Sequence, residues 1–312
     1  MKTQLLVRGM HGLGDNIRQR ALLRQLMQDH DIWLESSWVS VYHDLIADGL
    51  KVVHKATALR TQTKNARRER DAFAVGRPRA SAKVMQVWYQ PAEVRRHGSV
   101  MAAMCAAAGC NIAKADFRLP VPGSWLAKAT PWLRLWGYDG RKPIMVYRPL
   151  VMRTEWGGCA ARNPDEQAYA ALFDLIREQF FVVSVADLVI PNVEWMTGLA
   201  CEADATVHKG ELEFEALAAL TSLASLVFCS PGFAGVLGQA VGTPVVCVFG
   251  GYEKSSFFFG GAKDAPMLGI DPVDPCECFS HSHGCRKEID MAAAKARLTA
   301  FIAGLMKEPA AA

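Results

Sequence analysis

From Ala216 to Tyr252 the chain carries no charged residue, a stretch longer than a bilayer-spanning helix, yet Ser230-Pro231-Gly232, Gly242-Thr243-Pro244 and Gly250-Gly251 break it. The pieces read as a helix ending at Ser225, a strand (Leu226 to Cys229), a helix (Ala234 to Val241) and a strand (Val245 to Phe249). Strands that are apolar on both faces, each followed by an apolar helix, are what a parallel sheet covered by helices requires. No integral membrane segment is read here.

The same alternation runs through the rest of the chain. Gln4 to Arg8 reads as a strand, Gly9 to Asp15 as a loop and Ile17 to His30 as a helix. Asp31 to Glu35, Val39 to Asp48 and Lys51 to Val53 continue as strand, helix, strand. Lys83 to Gln90 can restore sheet, and an Ala/Met-rich helix follows from Ser99 to Ala108. Between Arg118 and Lys142, prolines, glycines and three tryptophans read as an interdomain connection. A second series then begins: Pro143 to Tyr147, Pro164 to Gln179, Phe180 to Val185 and the helix from Glu211. With 312 residues, 51% hydrophobic and 21% charged, the chain can bury two cores. The expectation is an α/β protein of two Rossmann-like domains facing a cleft. The first spans 1–140 with a basic insertion at 55–98, the second spans 141–288, and a last helix in 289–312 crosses back onto the first.

Met1-Lys2 leads into only a short apolar run before Arg8, which does not read as a secretory signal, and nine cysteines is an odd number. Reduced thiols and a cytoplasmic location are expected.

Gly12-Leu13-Gly14-Asp15 lies between a strand and a helix, where the backbone can approach an anionic ligand. A dinucleotide fingerprint would need a third glycine where Ile17 stands. Asp15 either takes a proton from a hydroxyl at the mouth of a cleft or caps the helix that follows. In the second half, a strand, the turn Ser230-Pro231-Gly232 and a helix form an arrangement that binds phosphate at a helix N-terminus, and a further strand ends in Gly250-Gly251.

The order Gly-x-Gly-Asp, Leu217-Ala218-Ala219-Leu220, a Ser/Gly turn and Ala240-Val241-Gly242-Thr243-Pro244-Val245-Val246-Cys247-Val248-Phe249-Gly250 resembles the ADP-heptose:lipopolysaccharide heptosyltransferase family of GT-B glycosyltransferases. The resemblance spans about Leu5 to Asp31 and Met145 to Gly251. It implies an inverting, metal-independent enzyme with no required cofactor beyond its nucleotide-diphosphate sugar co-substrate. It also gives Asp15 the role of catalytic base, and donor phosphate to Arg162 or Arg153. Gly14, Lys209, Ser230, Gly232, Gly250 and Gly251 complete the donor side. The family's acid and histidine at the donor turn are replaced by Cys229-Ser230-Pro231-Gly232-Phe233, which leaves a non-catalytic nucleotide-sugar-binding homologue as an alternative.

Residues 51–100 hold twelve Lys or Arg against Glu69, Asp71 and Glu93, whereas the whole chain is only +4. Arg60, Lys64, Arg67, Arg68 and Arg70 are therefore expected to meet a phosphate-bearing acceptor, a lipopolysaccharide-type core or DNA with hydroxylated bases. Trp88 and Tyr89 either stack on a base or sugar or are strand aromatics. Cys276, Cys278, His281 and Cys285 could hold zinc, with reduced thiols beside the cleft as the other reading.

Overall fold

The computed structural model describes residues 2–156, 160–188, 194–199, 201–259, 265–280, 283–284 and 286–306. Its first half runs β1 (Thr3–Arg8), α1 (Leu13–Asp29), β2 (His30–Ser36), α2 (His43–Ala47), β3 (Lys51–His54), α3 (Arg60–Arg68) and β4 (Lys83–Gln86). Helices α4 (Pro91–His97), α5 (Val100–Ala108) and α6 (Gly123–Leu135) follow. The second half runs β5 (Ile144–Tyr147), β6 (Val151–Arg153), α7 (Glu166–Asp174), β7 (Phe181–Val185), β8 (Glu194–Met196), β9 (Ala205–Val207) and α8 (Phe214–Leu223). It closes with β10 (Leu226–Cys229), α9 (Phe233–Val241), β11 (Val245–Val248), α10 (Ser255–Phe259), β12 (Met267–Ile270) and α11 (Met291–Leu305).

Two parallel sheets result. The first has the order β3-β2-β1-β4 and the second β12-β11-β10-β5-β7-β9, while β6 and β8 form a small antiparallel pair. In the second sheet the period of two is explicit. Val146, Val183, Val227 and Val245 face the core that continues into the first half, while Met145, Val182, Phe228 and Val246 face α7 and α11. Both faces are covered, which is why these strands read as continuous apolar runs.

Three expectations need correction. Helix α1 begins at Leu13, so Asp15 lies in its first turn rather than in the preceding loop; Gly12 is the N-cap and no side chain caps this end. The 118–142 segment is not a bare connection. It contains α6, which buries Trp125 and Ala129, one turn apart, and packs on α8. Trp125 meets Phe214 edge-on at 6.0 Å between ring centroids. Finally, among the described residues α11 packs on α7 and β12 in the second half rather than on the first: Ala294, Leu298 and Ile302 are buried in the core formed by Met145, Phe173 and Phe228. That apolar face of the sheet needs a cover, and α11 supplies it together with α7.

Candidate functional site

In an open parallel sheet, ligands collect outside the carboxyl ends of the strands. Both sheets turn those ends toward one cavity of about 560 Å³. It is lined from the first half by the loop after β1, by α3 and by Trp88 and Tyr89 after β4, and from the second by residues following β5, β7, β9, β10 and β11. Helices α1 and α9 pack against each other at its base. Gly14 permits that approach, since a Cβ there would lie 3.4 Å from both the Phe233 Cα and a Val236 methyl.

Asp15 lies half-buried at this junction. Its side chain folds back over Gly12, where a Cβ would come within 2.8 Å of Oδ2, and Tyr89 donates its hydroxyl to Oδ1 at 3.0 Å. The loop beneath is held by buried Asn16, whose amide donates to the carbonyls of Met10 and Gly12 and whose Oδ1 accepts from Ser36 and Tyr42. Burial pushes the Asp15 carboxyl above its usual range, against the opposing pull of the Arg18 charge and the Tyr89 hydroxyl. Because Asp15 makes no capping hydrogen bond, the helix-cap reading does not hold.

Arg18 follows Asp15 by three positions, so the helix turns both toward the cavity. Its guanidinium donates to the Phe258 carbonyl at 2.8 Å and lies 4.4 Å from that ring's centroid. Among the described residues it makes no salt bridge, unlike the arginines that line the cavity from the second half. Arg162 is clasped by Glu253 through Nε at 2.8 Å and through Nη2. Burial works against the Arg162 charge, but Glu253 more than offsets it and keeps the guanidinium protonated. Arg148 and Arg153 share Glu194 at 2.8 and 3.0 Å.

The expected donor residues separate into two groups. Gly14, Arg153, Arg162, Ser230 and Gly232 line the cavity, with Ser230 and Gly232 at the N-terminus of α9. Lys209, Gly250 and Gly251 do not. The Lys209 carbonyl accepts from Lys64, Gly250 packs so tightly on the Asn163 carbonyl that a Cβ would sit 2.2 Å from it, and Gly251 turns with φ +86° behind the wall.

The basic helix differs more. Arg60 and Lys64 reach Asp187 of the second half, at 3.1 and 3.5 Å, and Arg68 donates to the carbonyls of Gly210 and Leu212. Much of the local positive charge thus binds the two halves together. Lys64 and Arg68 still line the cavity, whereas Arg60, Arg67 and Arg70 do not, and Arg70 pairs with exposed Asp71. Of the aromatics, Tyr89 turns to Asp15 and Trp88 is 40% exposed at the cavity wall.

Of the proposed zinc ligands, His281 and Cys285 lie outside the described residues. Cys276 and Cys278 come together with His283, not named among them beforehand, and the three ligand atoms lie within 4.8 Å of one another. Arg18 and Glu253 also escaped the sequence reading. Arg18 carried a signal, its spacing from Asp15; Glu253 carried a weaker one, as the first charge after the apolar stretch and just beyond the end of β11.

No protein-family model and no curated protein sequence matches the chain. The fold nevertheless has solved counterparts. A glycosyl transferase family 9 protein from Veillonella parvula superposes with a TM-score of 0.62 at 13% identity over 98% of each chain. The iron-containing dodecameric glycosyltransferase TibC from enterotoxigenic E. coli gives 0.60 at 13% identity over 98% of this chain and 78% of its own. The ADP-heptose lipopolysaccharide heptosyltransferase II of E. coli gives 0.57 at 12% identity over 98% and 99%. The architecture is the GT-B fold of the heptosyltransferase-like glycosyltransferases.

Proposed function

We propose that the chain is an inverting glycosyltransferase that moves a sugar from a nucleoside-diphosphate sugar to a hydroxyl of a phosphate-bearing acceptor of the lipopolysaccharide-core type. The observation that carries this reading is Asp15, a carboxylate of raised proton affinity held where the two sheets open onto one cavity, with the Arg18 guanidinium three residues away. With Tyr89 on Oδ1, Oδ2 is the oxygen assigned to accept the acceptor's hydroxyl proton. The acceptor oxygen then attacks the anomeric carbon as the bond to the diphosphate breaks on the opposite face, which inverts the centre. Arg18, Arg162 and the amides at the start of α9 would carry the charge of the departing diphosphate. Those groups supply positive charge from the protein itself, and the scheme routes no step through a metal ion. Lys64 and Arg68 are the cations on the cavity wall suited to an acceptor phosphate. A DNA acceptor is not carried forward, because Arg60, Arg67 and Arg70, three of the five cations expected to meet it, do not line the cavity.

TibC has been solved with ADP-D-β-D-heptose, so ADP-linked heptose is the first donor to try. A donor present at a hundred times its dissociation constant adds about 2.7 kcal/mol to stability, which a thermal-shift comparison of ADP-, UDP-, GDP- and CMP-sugars resolves. A shift confined to one nucleotide family is the expected result, and no shift with any of them would remove the donor site. The substituted donor turn at Cys229 to Phe233 favours one other reading, a binder without catalysis. Release of free nucleotide from the donor that shifts the melt excludes it.

Tyr89→Phe tests the hydrogen bond to Asp15. The hydroxyl favours the charged carboxylate, so its loss raises the Asp15 pKa further, and the acid limb of kcat/KM against pH moves to higher pH. An unmoved limb with unchanged kcat would show that Tyr89 does not act on the base.

A further inference from the structure

Cys276, Cys278 and His283 lie outside the chemistry assigned to Asp15, and their arrangement has its own logic. The two sulfurs approach the same ring nitrogen, with Cys276 Sγ 3.3 Å and Cys278 Sγ 3.1 Å from His283 Nδ1. Cys276 Sγ also reaches the Gly251 carbonyl at 3.2 Å and Cys278 Sγ accepts from the Ser280 amide, so both sulfurs are fixed in place around the one ring nitrogen. One cation at the centre would lie within bonding reach of all three. With metal–sulfur bonds of about 2.3 Å and metal–nitrogen bonds of about 2.0 Å, tetrahedral angles put sulfur and nitrogen about 3.5 Å apart, close to what is seen.

The backbone around the middle ligand is constrained as well. Glu277 and Phe279 are the two non-glycine residues with positive φ among the described residues, both at 51°, and they flank Cys278. A Cβ makes that conformation unfavourable, so the segment is held in it by its surroundings. Part of the hold is visible: the amides of Glu277 and Phe279 donate to the carbonyls of Gly251 and Tyr252, and Arg95 donates to the Glu277 carbonyl at 2.9 Å. The turn thus leans on the segment that ends in Glu253, the partner of Arg162.

We propose that Cys276, Cys278 and His283 bind one thiophilic divalent cation of the zinc type, pinning together the two ends of this turn, which leans on the wall of the cleft. Each thiol releases its proton to solvent as it becomes a ligand, and a fourth tetrahedral position is left beyond these three. Two soft sulfurs and one imidazole select against magnesium and calcium, which take oxygen ligands.

The test uses the reduced full-length chain, stripped of metal and titrated with Co²⁺ under anaerobic conditions. One equivalent per chain is expected to bind with sulfur-to-cobalt charge-transfer absorption that Zn²⁺ abolishes. Cys276→Ser with Cys278→Ser should lose the band, while Cys201→Ser, distant in sequence, should keep it. No charge-transfer band in the unaltered chain, or a band that survives the double substitution, overturns the proposal. Should the double variant not fold, X-ray absorption of the zinc-loaded unaltered chain decides: a shell containing two sulfurs and at least one imidazole nitrogen supports the site, and any shell without both overturns it.

Discussion

Asp15→Asn is expected to lower kcat by about a thousandfold, within the range of a lost general base, while donor affinity measured by calorimetry stays within about twofold. The amide keeps the shape of the carboxylate and its Oδ1 can still accept from Tyr89, so the site is not rebuilt. What it cannot do is hold the acceptor's proton. Stability gives a second readout with the opposite sign. The native pKa of Asp15 is raised above 3.8 chiefly by burial, so the native state holds this proton more tightly than the unfolded chain. Stability from this group is therefore lost as pH rises through the interval from 3.8 up to the native pKa, and above that interval the ionised carboxylate is a standing cost. The Asn variant lacks this cost, so its urea midpoint at neutral pH should exceed that of the unaltered chain. A variant that is inactive and more stable identifies a residue kept for chemistry at the expense of the fold. Undiminished turnover would instead sink the assignment of Asp15 as base.

Much of the architecture is legible in the sequence because it is written in local patterns. The apolar strands Leu226–Cys229 and Val245–Val248, with the glycine and proline breaks between them, give element type and sheet class without any long-range information. The Gly-x-Gly-Asp step is local too, and it leads to Asp15. Errors arise where the decisive partner is far away. Helix α6 reads as a connection because Pro131, Trp125 and Trp132 dominate its text; what makes it a helix is the surface of α8 on which Trp125 packs. The basic segment was read by counting charges, but a count contains no partners, and Asp187, which takes up Arg60 and Lys64, lies more than 120 positions away. Arg162 and Glu253 are separated by 91 positions. His283 shows the opposite case. It lies inside a cluster visible in sequence, yet spacing alone does not reveal that its Nδ1 meets both sulfurs.

Glu194→Gln should be the most destabilising single change in the cleft wall, at about 3–5 kcal/mol, because it removes one side of a buried ion pair while leaving the other. Glu194 is 2% exposed and receives Arg148 at 2.8 Å and Arg153 at 3.0 Å, with Arg60 at 3.9 Å. Burial already lowers the proton affinity of Arg148, and Glu194 is the main force opposing that loss. Glutamine can still accept a hydrogen bond, but it cannot balance a guanidinium whose other arm is fixed on the Val185 carbonyl at 2.9 Å. Exposure is what sets the scale. The Arg70–Asp71 pair, at 79% and 92% side-chain exposure, is solvated in both states, so Arg70→Ala should change stability by less than about 0.5 kcal/mol. Urea unfolding with an unchanged m-value separates the two cases. A cost near 1 kcal/mol for Glu194→Gln would mean that water enters to solvate Arg148, and the wall of the cleft would then be softer than its hydrogen bonds imply. A cost in the expected range, largely relieved when Arg148→Met is added, would show that the arginines at this wall are held by their carboxylate before any ligand arrives. A phosphate group binding there must then compete with Glu194 for Arg153. Arg18 forms no salt bridge among the described residues, and Asp15 and Glu253 act on it only through space, so a ligand phosphate meets weaker competition there.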